Sequence, residues 1–164
     1  MLYCQQCGQP TEERRNDGRL RPICVACGAV TYLDPKLAAA VVIERDGCIL
    51  LGRRAPGSRE AGKWSFPAGF VERGERVEDA AVREAGEEAG LAVNLGPLLG
   101  LYSSPGETVV LAVYTAEGVG DATAGDDLSE VAWFRPDALP ELAFPHDHRI
   151  LTDWQAHQQH PSRP

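Results

Sequence analysis

The chain has 164 residues, of which 43% are hydrophobic, a length that fits one main domain with a small appended unit. Its formal net charge of −8 disfavours a nucleic-acid or anionic-membrane partner, whose phosphates would be repelled. The longest apolar run, residues 37–43, is too short to cross a bilayer, and the first residues show no basic and apolar leader. We therefore expect a cytoplasmic protein that binds neither nucleic acid nor membrane.

Two Cys-x-x-Cys pairs lie near the start of the chain, separated by sixteen residues. Four thiolates at this spacing are typical of a tetrahedral zinc ribbon, whereas two disulfides would rarely persist in a reducing compartment. Four protein ligands leave no open position for a substrate, and the charges between the pairs offset each other. Both observations favour a structural or dimer-supporting ribbon over a nucleic-acid reader. We predict a zinc site on Cys4, Cys7, Cys24 and Cys27. The ribbon is expected at residues 1–34 and the main domain at residues 35–164.

The main domain is predicted to begin with a β-hairpin. Residues 37–44 are apolar and rich in β-branched types, an Asp-Gly turn follows at residues 46–47, and residues 48–54 form the second strand. After a loop rich in Gly, Pro and Ser, Trp64 and Phe66 alternate as in a strand that buries one face. Core packing is expected for at least one of the two, although either could stack on a base.

A helix is predicted from residue 76 or 77 to residue 89. Glu78 and Asp79 would lie near the positive end of its dipole, and Gly90 would supply the left-handed residue that ends it.

The same helix carries three glutamates on one face. At roughly 100° per residue, Glu84, Glu87 and Glu88 fall within an arc of about 100°. Like charges this close repel one another, and a hard divalent cation such as Mg²⁺ would remove that penalty. Ala81 and Ala85 lie beside this face, so the helix can approach a sheet closely.

Further strands are predicted at residues 92–102, 108–114 and 131–134. A polar acidic loop is expected at residues 117–129, a helical turn after Pro136, and an amphipathic helix at residues 150–159. Four dispersed histidines are expected at the surface rather than in a second metal site: His146, His148, His157 and His160. Strands mixed with a few helices predict an α/β or α+β sandwich.

Residues 69–91 resemble the Nudix hydrolase signature, G-x5-E-x7-R-E-U-x-E-E-x-G-U, in which U is aliphatic. We call this stretch the box. The fixed positions are filled by Gly69, Glu75, Arg83, Glu84, Glu87, Glu88, Gly90 and Leu91, with Ala85 at the first aliphatic position. The resemblance implies a Nudix-type α/β/α sandwich with a mixed sheet, preceded by the small four-Cys zinc ribbon.

The resemblance also implies a catalytic site for Mg²⁺ or Mn²⁺. Its ligands would be the Gly69 carbonyl, Glu84, Glu87 and Glu88. Glu84 would be either a ligand or the base that deprotonates the attacking water, and Arg83 and Glu75 would orient the cluster by salt bridging. In many relatives a later loop adds a carboxylate, and three compete for that role here: Asp126, Asp127 and Glu130.

Candidate substrate contacts lie on both sides of the loop that precedes this box. Arg53, Arg54 and Lys63 are the nearest basic residues for phosphate oxygens. The candidates for stacking on the base are Trp64, Phe66, Tyr102 and Tyr114.

The ribbon ahead of this domain is similar to the arrangement of the NADH pyrophosphatases, which carry an S-Q-P-W-P-F-P-x-S motif after the box. Here residues 102–108 keep a Ser-x-Pro remnant but lack the Trp and Phe. With its short ribbon, the chain looks closer to ribbon-bearing relatives associated with ADP-ribose and FAD, on the runs at residues 64–72 and 141–145. We therefore expect Mg²⁺-dependent hydrolysis of ADP-ribose or FAD that releases AMP, by a homodimer. The alternatives are an NADH or other dinucleotide pyrophosphatase, or a non-catalytic nucleotide sensor with an interaction ribbon.

Overall fold

The computed structural model describes residues 2–125 and 127–159, so Asp126 and His160 lie outside the described residues. The described chain divides into two units between Pro35 and Lys36. None of the helices in these two ranges is long and apolar enough to cross a membrane.

The first unit is a β-hairpin with a cysteine pair at each end. Strand β1, Thr11–Asn16, pairs antiparallel with β2, Arg19–Cys24. Asp17 and Gly18 connect them with φ angles of 50° and 77°, the left-handed pair that a tight two-residue hairpin requires. This turn folds the chain back so that the two cysteine pairs meet.

The second unit is built on a mixed sheet of seven strands. In chain order they are β3 Lys36–Arg45, β4 Cys48–Arg54, β5 Trp64–Ser65, β6 Ala68–Phe70, β7 Ala92–Tyr102, β8 Val109–Val119 and β9 Leu128–Phe134. The central strand β3 runs parallel to β8 and antiparallel to β4 and β6. Strand β7 pairs antiparallel with β8, and β5 and β9 pair antiparallel with β4.

Two helices cover opposite faces of this sheet: α1, Val77–Ala89, and α2, Pro145–Gln159. Strand β3 is buried on both faces because its side chains alternate between them. One set of β3 side chains, Ala39, Val41 and Ile43, packs with the alanines of α1. The other set, Ala38, Ala40 and Val42, packs with the apolar side chains Ile150, Leu151 and Trp154 of α2. The predicted α/β/α sandwich with a mixed sheet is confirmed.

The structure corrects the predicted elements after residue 114. Strand β8 continues to Val119, into the stretch predicted as a loop, because residues 116–119 pair with the start of β7. The stretch after Pro136 makes a turn but no helix. There the backbone N–H of Ala143 donates to the Trp64 carbonyl at 2.8 Å, which holds the chain extended.

Helix α2 begins at Pro145 rather than at residue 150. Proline suits the first helical position, because its fixed φ is helical. An N–H at that position would have no acceptor within the helix, so its absence costs nothing. The backbone N–H of Phe144 donates to Asp147 Oδ2 at 2.9 Å, as in half of a capping box. These two local interactions start the helix five residues earlier than its apolar periodicity indicated.

Candidate functional site

Helix α1 presents its glutamates from a firmly anchored C-terminal end. Gly90 ends it with φ of 65°, and the following segment caps it further. The backbone N–H groups of Thr123 and Gly125 donate to the carbonyls of Ala89 and Glu88, both at 2.9 Å. These bonds satisfy two carbonyls that a helix end leaves without partners, and they bring the segment before β9 against the glutamate face.

Arg83 connects the glutamates of the box to one another. Its Nε donates to Glu75 Oε1 at 2.8 Å, and its Nη1 donates to Glu84 Oε1 at 2.6 Å and to Glu87 Oε2 at 2.9 Å. Nη2 donates to the Phe70 carbonyl at 3.0 Å, which ties the helix to β6. The hydrogen bond from Arg83 lowers the pKa of Glu75 to about 2, so Glu75 is ionised throughout the physiological range.

Glu88 is buried, with 8% of its surface exposed, although it is a carboxylate. Its Oε2 accepts a hydrogen bond from the backbone N–H of Ala68 at 2.9 Å. Burial is the main reason that the pKa of Glu88 is raised to about 7. The charges of Glu84 and Asp127 act in the same direction, whereas the Ala68 N–H and Arg54 oppose the shift. A buried carboxylate with two acidic neighbours is the kind of group that a divalent cation stabilises.

Glu84 is equally buried and lies against Gly69 of β6. A Cβ on Gly69 would overlap with the Glu84 carboxylate, so only glycine leaves room for it. Burial raises the pKa of Glu84, and the neighbouring Arg83 opposes that shift. Gly69 is itself fixed in the sheet by its pairing with Ala39 of β3.

The box therefore offers oxygen donors of the type that Mg²⁺ or Mn²⁺ prefers. Glu84 lies against Gly69, Glu88 accepts from Ala68, and Glu87 reaches the cluster through Arg83. Within residues 2–125 and 127–159, however, only the four cysteines have ligand atoms all within 4.8 Å of one another. Arg83 Nη1 donates to both Glu84 and Glu87, so the guanidinium compensates their charge in the structure.

The four cysteines of the first unit form that compact cluster. Cys7 Sγ lies 3.5 Å from the Sγ atoms of both Cys24 and Cys27, and Cys4 Sγ lies 3.6 Å from Cys27 Sγ. These separations exceed a disulfide bond of about 2.05 Å, and all four thiols are free. They are close to the ~3.8 Å between sulfurs of a tetrahedron with zinc–sulfur bonds of about 2.3 Å. The geometry fits a four-thiolate zinc site and contradicts the disulfide alternative.

A cavity of about 390 Å³ opens beside Gly69 and extends away from the glutamates toward α2. Its apolar lining includes Ala38, Ala40, Phe66, Tyr102, Val109 and Leu111, and its polar side chains are Arg54, Arg59, Ser65, Ser103, Ser104, Glu107, His146 and Asp147. Arg54 lowers the pKa of both Glu88 and Asp147, so its guanidinium lies near both carboxylates. Ala68 and Gly69 in the cavity lining contact Glu88 and Glu84, so the cavity adjoins the glutamates.

Asp147 is the most deeply buried polar residue of the cavity, with 2% of its surface exposed. Its Oδ2 accepts from Phe144, whereas its Oδ1 lies 3.7 Å from His146 Nε2, beyond hydrogen-bond range. Burial raises the pKa of Asp147 to about 7 and lowers the pKa of His146, so the imidazole is neutral at pH 7. Since Oδ2 is occupied by the Phe144 N–H, Oδ1 is the atom of this carboxyl group that a ligand in the cavity could contact.

Of the predicted phosphate contacts, Arg54 lines the cavity and the other two do not. Arg53 lies 3.6 Å from Glu130, and Lys63 pairs with Glu60 at 2.9 Å. Both partners are surface carboxylates.

The aromatic candidates divide in the same way. Phe66 and Tyr102 line the cavity. Trp64 instead packs edge-on against Phe134 at 4.8 Å, and Tyr114 lies in the core beneath α1.

The three candidates for the additional carboxylate ligand also differ in where they lie. Asp127 lies close enough to Glu88 to raise its pKa, Glu130 is engaged by Arg53, and Asp126 is outside the described residues.

Sequence reasoning missed several cavity residues, among them Arg59, Glu107, Phe144 and Asp147, and it expected His146 at the surface rather than in the cavity wall. The loop that carries Arg59 has no regular pattern. The only signal for the three residues near the start of α2 was Pro145 followed two residues later by an acid, which is a helix start.

Comparison with known proteins agrees with both units. The family model for the NUDIX domain matches residues 34–155, and the family model for the Nudix N-terminal ribbon matches residues 2–33.

Two relatives and one solved structure show the range of the similarity. An ADP-ribose pyrophosphatase from Methanocaldococcus jannaschii is 41% identical over 128 residues, 75% of this chain and 75% of that protein. The NAD-capped RNA hydrolase NudC from Stutzerimonas stutzeri is 30% identical over 143 residues, 85% of this chain and 50% of that protein. The chain thus spans about half the length of that hydrolase. A crystal structure of a NUDIX hydrolase from Nitrosomonas europaea superposes with a TM-score of 0.88 at 31% identity, covering 100% of this chain and 95% of that one.

Proposed function

The chain belongs to the Nudix hydrolase family, and from this membership we propose that it hydrolyses the diphosphate of ADP-ribose, giving AMP and ribose 5-phosphate. The observation that carries the proposal is the continuity of the site. Two buried glutamates, Glu84 and Glu88, adjoin a cavity that begins at Gly69 and is large enough for a nucleoside. A diphosphate bound at the box would place its nucleoside in that cavity.

The glutamates would hold the catalytic cation, Mg²⁺ or Mn²⁺. We assign Glu87, Glu88 and the Gly69 carbonyl as its ligands, with Asp127 as the additional carboxylate because it lies beside Glu88. When bound, the cation neutralises the phosphate oxygens and makes the attacking water more acidic. The four-thiolate cluster of the first unit would hold structural Zn²⁺.

Glu84 is the residue best placed to accept the proton of the attacking water. Burial raises its pKa, so its carboxylate is a stronger base than an ordinary glutamate. Arg83 and, through it, Glu75 hold the Glu84 carboxylate in one position. In the reaction the water oxygen bonds to phosphorus, the bridging P–O bond breaks, and the water proton passes to Glu84.

The lining of the cavity favours an adenine nucleotide as the substrate. Its apolar lining suits a flat base, and Asp147 Oδ1 is the buried acceptor that an exocyclic amino group could reach. Arg54, between Glu88 and Asp147, is placed to contact the diphosphate. These features would serve FAD as well as ADP-ribose, because both contain ADP.

NADH or another dinucleotide is the second candidate substrate. It is favoured by the ribbon and by the relatives named NAD-capped RNA hydrolase. It is disfavoured by the segment at residues 103–108, which lines the cavity without the Trp and Phe of the NADH pyrophosphatase motif.

A substrate panel of ADP-ribose, FAD and NADH with Mg²⁺ or Mn²⁺ tests the proposal. ADP-ribose should give the highest kcat/KM. Binding of all three without turnover would instead identify a nucleotide sensor whose ribbon serves an interaction. We further propose a cytoplasmic homodimer, which gel filtration with light scattering would test.

A further inference from the structure

An ion pair at the mouth of the cavity joins two loops that the catalytic box does not use. Arg59 Nη2 lies 3.5 Å from Glu107 Oε1, and both side chains line the cavity. We propose that Glu107 occupies the place of a substrate phosphate oxygen, and that Arg59 exchanges Glu107 for the substrate diphosphate on binding. The identity of the anion rests on the function proposed above; the exchange itself rests on the contacts of these two residues.

Arg59 is held toward the cavity by its neighbours. Its guanidinium carbon lies 5.6 Å from the centroid of the Phe144 ring, within range of a cation–π interaction. Arg54 Nε donates to the Arg59 carbonyl, which ties this part of the loop to the end of β4. The backbone of Arg59 is therefore fixed, while its long side chain can change partner.

The pair with Glu107 is weak enough to be replaced. The side chains of Arg59 and Glu107 are 66% and 51% exposed, and one Nη2–Oε1 contact joins them. Exposed ion pairs of this kind contribute little, because water screens them and two long side chains must be ordered. A phosphate can accept two parallel hydrogen bonds from one guanidinium, whereas Glu107 makes one contact with Arg59 at 3.5 Å. We therefore expect a substrate phosphate to displace Glu107.

The charges around the pair agree with this assignment. Glu107 raises and Arg59 lowers the pKa of His146, so both lie close to this residue of the cavity wall. The second cation of the lining, Arg54, is near two carboxylates, Glu88 and Asp147. While Arg59 is paired with Glu107, the lining carries little net positive charge. Release of Glu107 frees a cation when an anion arrives.

The test is a pair of neutralising variants that should change substrate affinity in opposite directions. Arg59→Gln should raise the KM for ADP-ribose roughly tenfold, since a charge-assisted contact is lost, with kcat changed by less than about twofold. Glu107→Gln should lower the KM by about threefold, since it removes a weak competitor. The double variant should match Arg59→Gln. Both changes should shrink at high ionic strength.

Matched controls come from Arg135 and Asp137, an exposed ion pair outside the cavity lining at 2.9 Å. Arg135→Gln and Asp137→Asn carry the same charge changes and should leave KM unaltered. If Arg59→Gln and Glu107→Gln both raise KM, the pair is a brace between loops and the exchange is wrong. Effects equal to those of the controls would also overturn it.

Equilibrium binding separates this inference from the proposed function. Calorimetry with ADP-ribose in buffer without added divalent cations uses the same variants but does not depend on turnover. Opposite shifts in Kd, together with no hydrolysis by the wild type in a separate assay with Mg²⁺ or Mn²⁺, would uphold the exchange and reject the enzyme. Hydrolysis with shifts of the same sign would uphold the enzyme and reject the exchange.

Discussion

The carboxylate of Glu84 lies directly against Gly69, in the space that a Cβ on residue 69 would occupy. The requirement for glycine is one of space, since Gly69 is not among the residues with positive φ. Through this contact β6 and α1 pack directly against each other at the site.

A methyl group at residue 69 should therefore disable the site without unfolding the protein. Gly69→Ala must displace the Glu84 carboxylate, and we expect kcat/KM to fall by about a hundredfold or more, as misplaced catalytic groups do. Circular dichroism should show an unchanged fold.

Gly86→Ala is the matched control, because Gly86 also lies within the signature. A Cβ there meets nothing nearer than the Leu91 carbonyl at 4.0 Å. In a helix this change should stabilise the protein by about 0.5 to 1 kcal/mol and leave activity near normal. Equal activity losses in the two variants would contradict the specific role of the Gly69–Glu84 contact.

The ionised form of Glu88 should lower the free energy of unfolding when no divalent cation is bound. Its folded pKa is about 7, against an ordinary value of 4.5. An acid whose pKa is raised by folding destabilises the folded state above its unfolded pKa, and the effect is complete above the folded pKa. Glu88→Gln should therefore raise the free energy of unfolding by about 2 kcal/mol at pH 8 and by nothing below about pH 4.5.

The same variant should lose turnover by orders of magnitude, because a proposed metal ligand is gone. Glu87→Gln is the comparison, since Glu87 is exposed. It should lose activity without the gain in stability. Urea unfolding in metal-free buffer at several pH values measures the first effect and a steady-state assay the second. A Glu88→Gln protein that is active, or less stable at pH 8, would refute the assignment.

Asp147 should determine which base is preferred. In Asp147→Asn the amide oxygen can keep the bond from the Phe144 N–H, which leaves the NH₂ group at the position of Oδ1. A base with an amino group would then meet a donor, whereas hypoxanthine offers a carbonyl. We expect kcat/KM for ADP-ribose to fall about tenfold or more and that for its inosine analogue to rise. An unchanged ratio of the two values would show that Asp147 does not contact the base.

The ribbon should contain about one zinc ion per chain, measured by elemental analysis of the purified protein. Cys24 is the most informative position. It is buried, and hydrogen bonding from the backbone N–H of Cys27 lowers the pKa of its thiol to about 6. Cys24→Ser should lose the metal, whereas Cys48→Ser, which changes a cysteine outside the cluster, should keep it. A fully folded ribbon without zinc would exclude the site.

The parts of the fold that the sequence predicts are those set by local pattern. The hairpin of β3 and β4 follows from two apolar runs around Asp46 and Gly47, both of which have positive φ. Helix α1 follows from its periodicity and from Gly90, and it places three glutamates on one face by spacing alone. The sequence therefore predicts the cluster of glutamates that is the candidate metal site.

The cavity could not be predicted from the sequence, because its lining comes from segments that are distant in the chain. Arg59 enters from the loop after β4 and Asp147 from the start of α2, and neither position carries a periodic signal. The bonds of Thr123 and Gly125 to the end of α1 hold the segment before β9 there, and Asp127 lies close enough to raise the pKa of Glu88. We therefore expect specificity to depend on these tertiary contacts and the reaction class to depend on the helix.

The central claim is tested most directly by incubating the protein with ADP-ribose and Mg²⁺ and identifying the products by chromatography. We predict AMP and ribose 5-phosphate in equal amounts, formed by the wild type and lost when Mg²⁺ is withheld. Tight binding of ADP-ribose with no AMP formed, in the presence of either Mg²⁺ or Mn²⁺, would contradict the account.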